Sequence, residues 1–153
     1  MAKQWPPSGY PVLEGFQELT AEWALTLPEP MARRMEDENL VFWRPGFTMW
    51  ISAWGEGEEE QSRQRRLKGL KREMDPDGRV VLNKDDGDIA YFAYRLRDVG
   101  PEGNVESLNA FAVSDVGHLQ MSIYFDDTAD EAKALALVDS VRFAGSEPGE
   151  SGE

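Results

Sequence analysis

The sequence predicts an α+β domain: a single antiparallel β-sheet, a C-terminal helix packed on one of its faces and a shorter, basic helix in mid-chain. Three observations carry this expectation. From His118 to Phe125 the residues alternate strictly, with Leu119, Met121, Ile123 and Phe125 on one side and His118, Gln120, Ser122 and Tyr124 on the other. From Ala129 to Val141 the apolar residues fall instead at helical spacing, as Ala134, Leu137, Val138 and Val141. Most links between the strand-like segments are of hairpin length, which suits antiparallel neighbours.

In chain order, residues 1–19 read as an N-terminal arm. Pro6, Pro7, Gly9 and Pro11 oppose regular structure, while Trp5 and Tyr10 are too apolar for a free tail, so the arm is expected to lie on the domain. A single domain over 20–143 follows, and residues 144–153 read as a disordered acidic tail. Trp23, Leu25 and Leu27 alternate as a first strand, stopped by Pro28 and Pro30. Residues 31–39 are polar and read as a loose turn of helix. Leu40 to Trp43 and Phe47 to Trp54 form a hairpin around Pro45-Gly46, with Phe47, Met49, Ile51 and Ala53 on one face and Thr48, Trp50, Ser52 and Trp54 on the other.

Gly55 to Glu60 is a Gly/Glu loop, and Gln61 to Met74 a helix with the thin stripe Leu67, Leu70 and Met74. Gly69 weakens it by about 1 kcal/mol relative to Ala. Asp75 to Gly78 form a turn, Arg79 to Leu82 a short strand, Lys84 to Asp88 an acidic turn and Ile89 to Arg97 a longer strand. After a loop from Asp98 to Asn104, Val105 to Ser114 pairs through Asp115-Val116-Gly117 with the strand at 118–125. Thr128 then opens a capping box with Glu131 at the start of the last helix.

Composition excludes several classes of chemistry. The chain has 153 residues, no cysteine and one histidine, His118, so thiol catalysis, disulfides and multi-histidine metal sites are ruled out. The first residues lack the apolar core of a signal peptide, and no apolar run is long enough to span a bilayer. The expected location is the cytoplasm, with no membrane partner. A net charge of −13 repels nucleic acid overall, and no cofactor is expected.

The layout resembles the PsbP-like fold. The resemblance rests on the Trp23-x-Leu25-x-Leu27-Pro28 opening, the mid-chain helix, and the last helix running into Ser140-Val141-Arg142-Phe143. That fold is shared by an extrinsic subunit of photosystem II, a Ran-binding nuclear import factor and effector-associated (Eag-type) chaperones of bacterial type VI secretion. The chain is also similar to a small group of uncharacterised bacterial proteins through Glu36-Asp37, Leu40 to Gly46, Gly117 to Gln120 and Tyr124 to Asp127. The resemblance implies a bacterial, non-catalytic protein that binds other proteins. It carries over no functional residue.

Four candidate sites stand out. If the strands are neighbours, Trp50, Trp54, Tyr91, Arg95, Gln120, Ser122 and Tyr124 share one aromatic and polar surface, the composition of a recognition face. The competing reading is that the first helix and the arm cover this face and make the tryptophans core, in which case truncating one costs about 3–5 kcal/mol. On the basic helix, Arg65, Lys68 and Arg72 point away from the leucine stripe, as a patch for an anion or an acidic partner or simply as a solvated face screened by Glu58, Glu59 and Glu60. The carboxylate clusters Asp75 with Asp77, Asp85-Asp86 with Asp88, and Asp126-Asp127 lack the spacing of a calcium loop and fit turn chemistry, so no metal is expected. His118 has Ser114, Ser122 and Asp115 nearby in sequence but no nucleophile-elbow motif, and reads as structural.

These readings point to a non-enzymatic protein-binding module: an adaptor, a secretion-effector chaperone or an immunity-type protein. It would seat an apolar or helical partner segment on Trp50, Trp54 and Tyr124, with Arg95 on the rim. The alternative is a small-ligand-binding protein or enzyme using the same face as a pocket. An open, shallow surface separates the first from the second. Exposed tryptophans also favour a homodimer.

Overall fold

The computed structural model describes residues 9–54, 62–100 and 103–143. Among them nine strands form one antiparallel sheet: β1 (Val12–Glu18), β2 (Trp23–Glu36), β3 (Asn39–Arg44), β4 (Phe47–Trp54), β5 (Arg79–Asp85), β6 (Ala90–Gly100), β7 (Gly103–Val113), β8 (His118–Phe125) and β9 (Arg142–Phe143). Two short helices accompany it, α1 (Arg63–Arg72) and α2 (Glu131–Asp139). Across the sheet the order is β1-β2-β3-β4-β8-β7-β6-β5, with β9 paired to the start of β2 at Trp23 and Ala24. Two four-stranded meanders therefore meet where β4 pairs β8, and the connection between them carries α1. No helix of the described residues is long and apolar enough to cross a membrane.

The strand alternation sorts side chains into two buried clusters. The larger contains Met49, Ile51, Tyr91, Ala93, Leu119, Met121, Ile123 and Phe125, and Ala134, Leu137, Val138 and Val141 are fully buried with them. The smaller contains Ala90, Phe92, Tyr94, Phe111 and Val113, against which Leu67, Leu70 and Met74 of the α1 region pack half-buried. Adjacent residues of β6 thus belong to different clusters, because successive strand side chains point to opposite faces.

Several boundaries differ from the sequence expectation. The segment 12–18, placed in the arm, is β1, paired with β2 from Val12↔Ala32 to Glu18↔Ala24. β2 does not stop at Pro28. It runs to Glu36, and the pairing shifts between Leu13 and Gly15. Residues 28–30 sit opposite that shift, where missing proline N–H groups remove no ladder bond. Residues 31–36 are strand rather than helix, closed by a tight turn in which Asp37 (φ 51°) and Glu38 (φ 70°) are left-handed. The outer strand β5 shows a matching irregularity between Val80 and Leu82. The turn Pro45-Gly46 is as expected, with Gly46 at φ 79°. At the last helix the cap is Asp127, whose side chain accepts the Ala129 N–H at 2.9 Å. Thr128 to Asp130 form a 3-10 turn ahead of α2, so no Thr128–Glu131 box forms. The tail at 144–153 and the loop at 55–60 lie outside the described residues.

The N-terminal end of α2 is clasped by two arginines. Arg44 donates to Glu29 at 2.6 Å and to Asp130 at 3.0 Å, and Lys133 reaches Glu29 at 3.0 Å. Arg95 pairs with Glu106 and, at 2.7 Å, with Glu131, while Arg97 donates to Glu106 at 2.6 Å. Burial pushes the Glu106 and Glu29 carboxyls up. The bonds from these cations outweigh it and hold both below the usual range.

Candidate binding face

The mixed face of the sheet is built by the register of β4, β8, β7 and β6. Trp50 lies opposite Ser122, Ser122 opposite Asn109, and Asn109 opposite Tyr94. One step along, Ser52, Gln120, Phe111 and Phe92 form the next row, and Trp54, His118, Val113 and Ala90 the one after. In each row the β7–β6 half lies toward α1. Among the described residues, the β4–β8 half around Trp50 and Trp54 is left open. There a concavity of about 400 Å³ is lined by Asn39, Trp50, Ser52, Trp54, Gln120, Ser122 and Tyr124.

Its shape follows from residue size. Small Ser52 and Ser122 with Gln120 make a low floor, Trp50 and Tyr124 stand toward one end and Trp54 at the other. Trp54 is 52% and Tyr124 40% exposed, and Trp50 is half-buried. Among the described residues, the side-chain polar atoms of Trp50, Trp54, Gln120, Ser122 and Tyr124 make no hydrogen bond. Ser52 donates to Asn39 Oδ1, which leaves the Asn39 NH₂ free. Among the described residues, none of the lining side chains is charged. Nearby on the same face, Arg34 stacks over Trp43 (4.6 Å) and Trp50 (5.7 Å), and Tyr10 meets Trp43 edge-on at 5.3 Å.

Of the seven residues expected on this surface, five converge and two do not. Tyr91 is 1% exposed in the larger cluster, where its hydroxyl donates to the Val141 carbonyl at 2.9 Å and burial pushes it up to about 12. Arg95 lies in the clasp at α2, over the Phe125 ring at 5.1 Å. The pairings Tyr91↔Ala112 and Ala112↔Leu119 fix the cause: Tyr91 stands in line with Leu119, on the face opposite His118. In β6 both alternating series, Tyr91-Ala93 and Ala90-Phe92-Tyr94, are apolar, so no pattern in the sequence sets its parity. Asn39 is the lining residue that sequence reasoning missed. Its position next to Leu40 in the alternation was the available signal.

On α1, Arg65, Lys68 and Arg72 are exposed, and none forms an ion pair among the described residues. The other cations are engaged in different ways. Arg63 takes Asp85 at 3.0 Å, and Lys71 reaches Asn83 at 3.1 Å over the Phe92 ring. Arg66 is buried at 7% exposure with its Nε and Nη2 unpaired.

His118 lies opposite Trp54, and its Nδ1 is buried without a hydrogen bond among the described residues. Burial and the neighbouring Arg66 charge push its imidazole down to about 4. Ser114 donates to the Gly117 carbonyl, and Asp115 accepts the Arg63 N–H at 2.7 Å, so neither is bonded to His118. Among the described residues no three acidic or histidine side chains gather as a metal-ligand set. No protein-family model matches the chain, and no curated protein matches its sequence. The geometry therefore stands alone: an antiparallel sheet of α+β class with a neutral, aromatic, half-open face.

Proposed function

We propose that this domain is a binding module, of adaptor, chaperone or immunity type, that docks a partner protein on the open half of its mixed face. One observation carries the reading: Trp54 and Tyr124 are exposed beside Trp50, with Gln120 and Ser122 making no hydrogen bond among the described residues, while α1 packs against the other half. Aromatic side chains with polar tips give large contact area at small conformational cost, which makes them frequent interface hot spots. The concavity is open and shallow, which favours a macromolecular partner over an enclosed small ligand. The PsbP-like layout, with α2 covering the opposite face, is consistent with this use and forms part of the same proposal.

The test pairs stability with capture. Trp54→Ala should unfold in urea with a free energy within about 0.5 kcal/mol of the parent chain. A Trp50→Ala, Trp54→Ala double variant should lose a partner that the parent chain retains from lysate. Equal capture by both proteins removes this face from the proposal.

A further inference from the structure

Resting on the reading above, we infer that the segment this face accepts is an uncharged, proline-rich stretch of a partner protein in polyproline II conformation. Hydrogen-bond balance at the face points to this class of segment. The residues that carry two indole N–H groups, the Tyr124 hydroxyl, the Gln120 amide and the Asn39 NH₂ line one concavity. Indole nitrogens donate only, and Ser52 uses one of the two lone pairs of Asn39 Oδ1, so donor groups lead among these side chains.

A proline-rich extended segment is the complementary object. Its carbonyls have no internal partners, its prolines carry no N–H, and its flat rings stack on aromatic side chains. Neutral glycans share the ring stacking, but their hydroxyls also donate and call for strong acceptors. Among the described residues, the lining holds no carboxylate to receive them. A helical segment satisfies its own carbonyls and leaves the donors of the face unanswered. The described lining residues are all uncharged, which matches a neutral segment.

The dimensions agree. Trp50 and Trp54 are four residues apart on one strand, roughly 13 Å at the usual strand rise. Polyproline II advances about 3.1 Å per residue, so about four residues span the floor between the two indoles. Ser52, Ser122 and Gln120 keep that floor low enough for a backbone to lie in it.

The experiment titrates the full chain with a blocked decaproline and with a blocked Ala-Pro-Pro repeat peptide, read by tryptophan fluorescence and by chemical-shift changes. An alanine-rich helical peptide and a neutral glucose oligosaccharide serve as comparison probes. The expected result is saturable binding of both proline peptides, weakened at least about tenfold by Trp54→Ala and several-fold by Tyr124→Phe, which removes only the hydroxyl. Unchanged near-ultraviolet circular dichroism shows that each variant is folded. No response to either proline peptide up to ~1 mM overturns the inference. So does binding that both variants leave intact. Trp54-dependent binding of the helical peptide or the oligosaccharide alone overturns the polyproline chemistry but keeps the face as a site. Loss of the lysate partner in the double variant, with no proline binding, has the same meaning. Only when neither probe nor partner depends on Trp50 and Trp54 does the docking proposal fall as well.

Discussion

α2 and α1 meet the sheet on very different terms. In α2, Ala134, Leu137 and Val138 are fully buried among the side chains of the larger cluster, and Arg44 and Arg95 clasp its first turn through four carboxylates. In α1, Leu67 and Leu70 are half-buried, Gly69 sits between them in sequence, and the one buried side chain is an arginine with two unpaired nitrogens. Both helices are short, at nine and ten residues, so length does not explain the contrast. What differs is the width of the apolar stripe. The fuller stripe is buried within the larger cluster, while the thin one packs half-buried against residues of β6 and β7. Among the described residues, the aromatic groove at Trp50 and Trp54 lies outside both clusters.

The contrast can be broken or sharpened by measurement. Leu137→Ala should cost about 2–5 kcal/mol in urea unfolding, and Leu67→Ala less than about 1.5 kcal/mol. Equal losses end the comparison. Next in size is a pH effect on the α1 side. His118 titrates near 4 when folded and near 6.5 otherwise, so between those values the unfolded chain binds more protons. Stability is therefore complete above about pH 6.5 and declines as pH falls toward 4, by about 2 kcal/mol after allowing for partial solvent exposure. His118→Gln should flatten this window in pH-dependent thermal melts. Losses from Glu29 and Glu106, whose folded values lie below 4.5, should remain. Arg66→Met removes two buried unpaired N–H groups and should raise the unfolding free energy by ~1 kcal/mol. Smallest is Trp54→Ala, within about 0.5 kcal/mol of the parent, since its side chain is half in solvent.

Much of this was legible where one periodicity dominated. The alternation of β8 and β4, the Pro45-Gly46 hairpin and the helical stripes at Leu67-Leu70 and Leu137-Val138 could be read directly. The rest failed for identifiable reasons. Pro28 and Pro30 look like strand breakers, and only the register shift opposite them in β1 shows that they cost no ladder bond. Asp37 and Glu38 make a left-handed hairpin turn without the Asn or Gly that normally announces one. The shared placement of Trp50, Trp54, Gln120, Ser122 and Tyr124 could be read because their strands pair an apolar face with a polar one. Tyr91 and Arg95 lie elsewhere, because β6 is buried on both faces and periodicity is silent there. Arg66 escaped notice because it stands among five other cations on the same short helix.

The irregular pairing of both outermost strands bears on how the molecule meets its neighbours. β1 slips against β2 between Leu13 and Gly15, and β5 slips against β6 between Val80 and Leu82. A regular outer strand is a template on which another chain can lay a tenth strand, and repetition of that step builds fibres. Bulges bend the strand and interrupt the even comb of N–H and C=O groups that such growth requires. The sheet is thereby poorly suited to lengthening sideways.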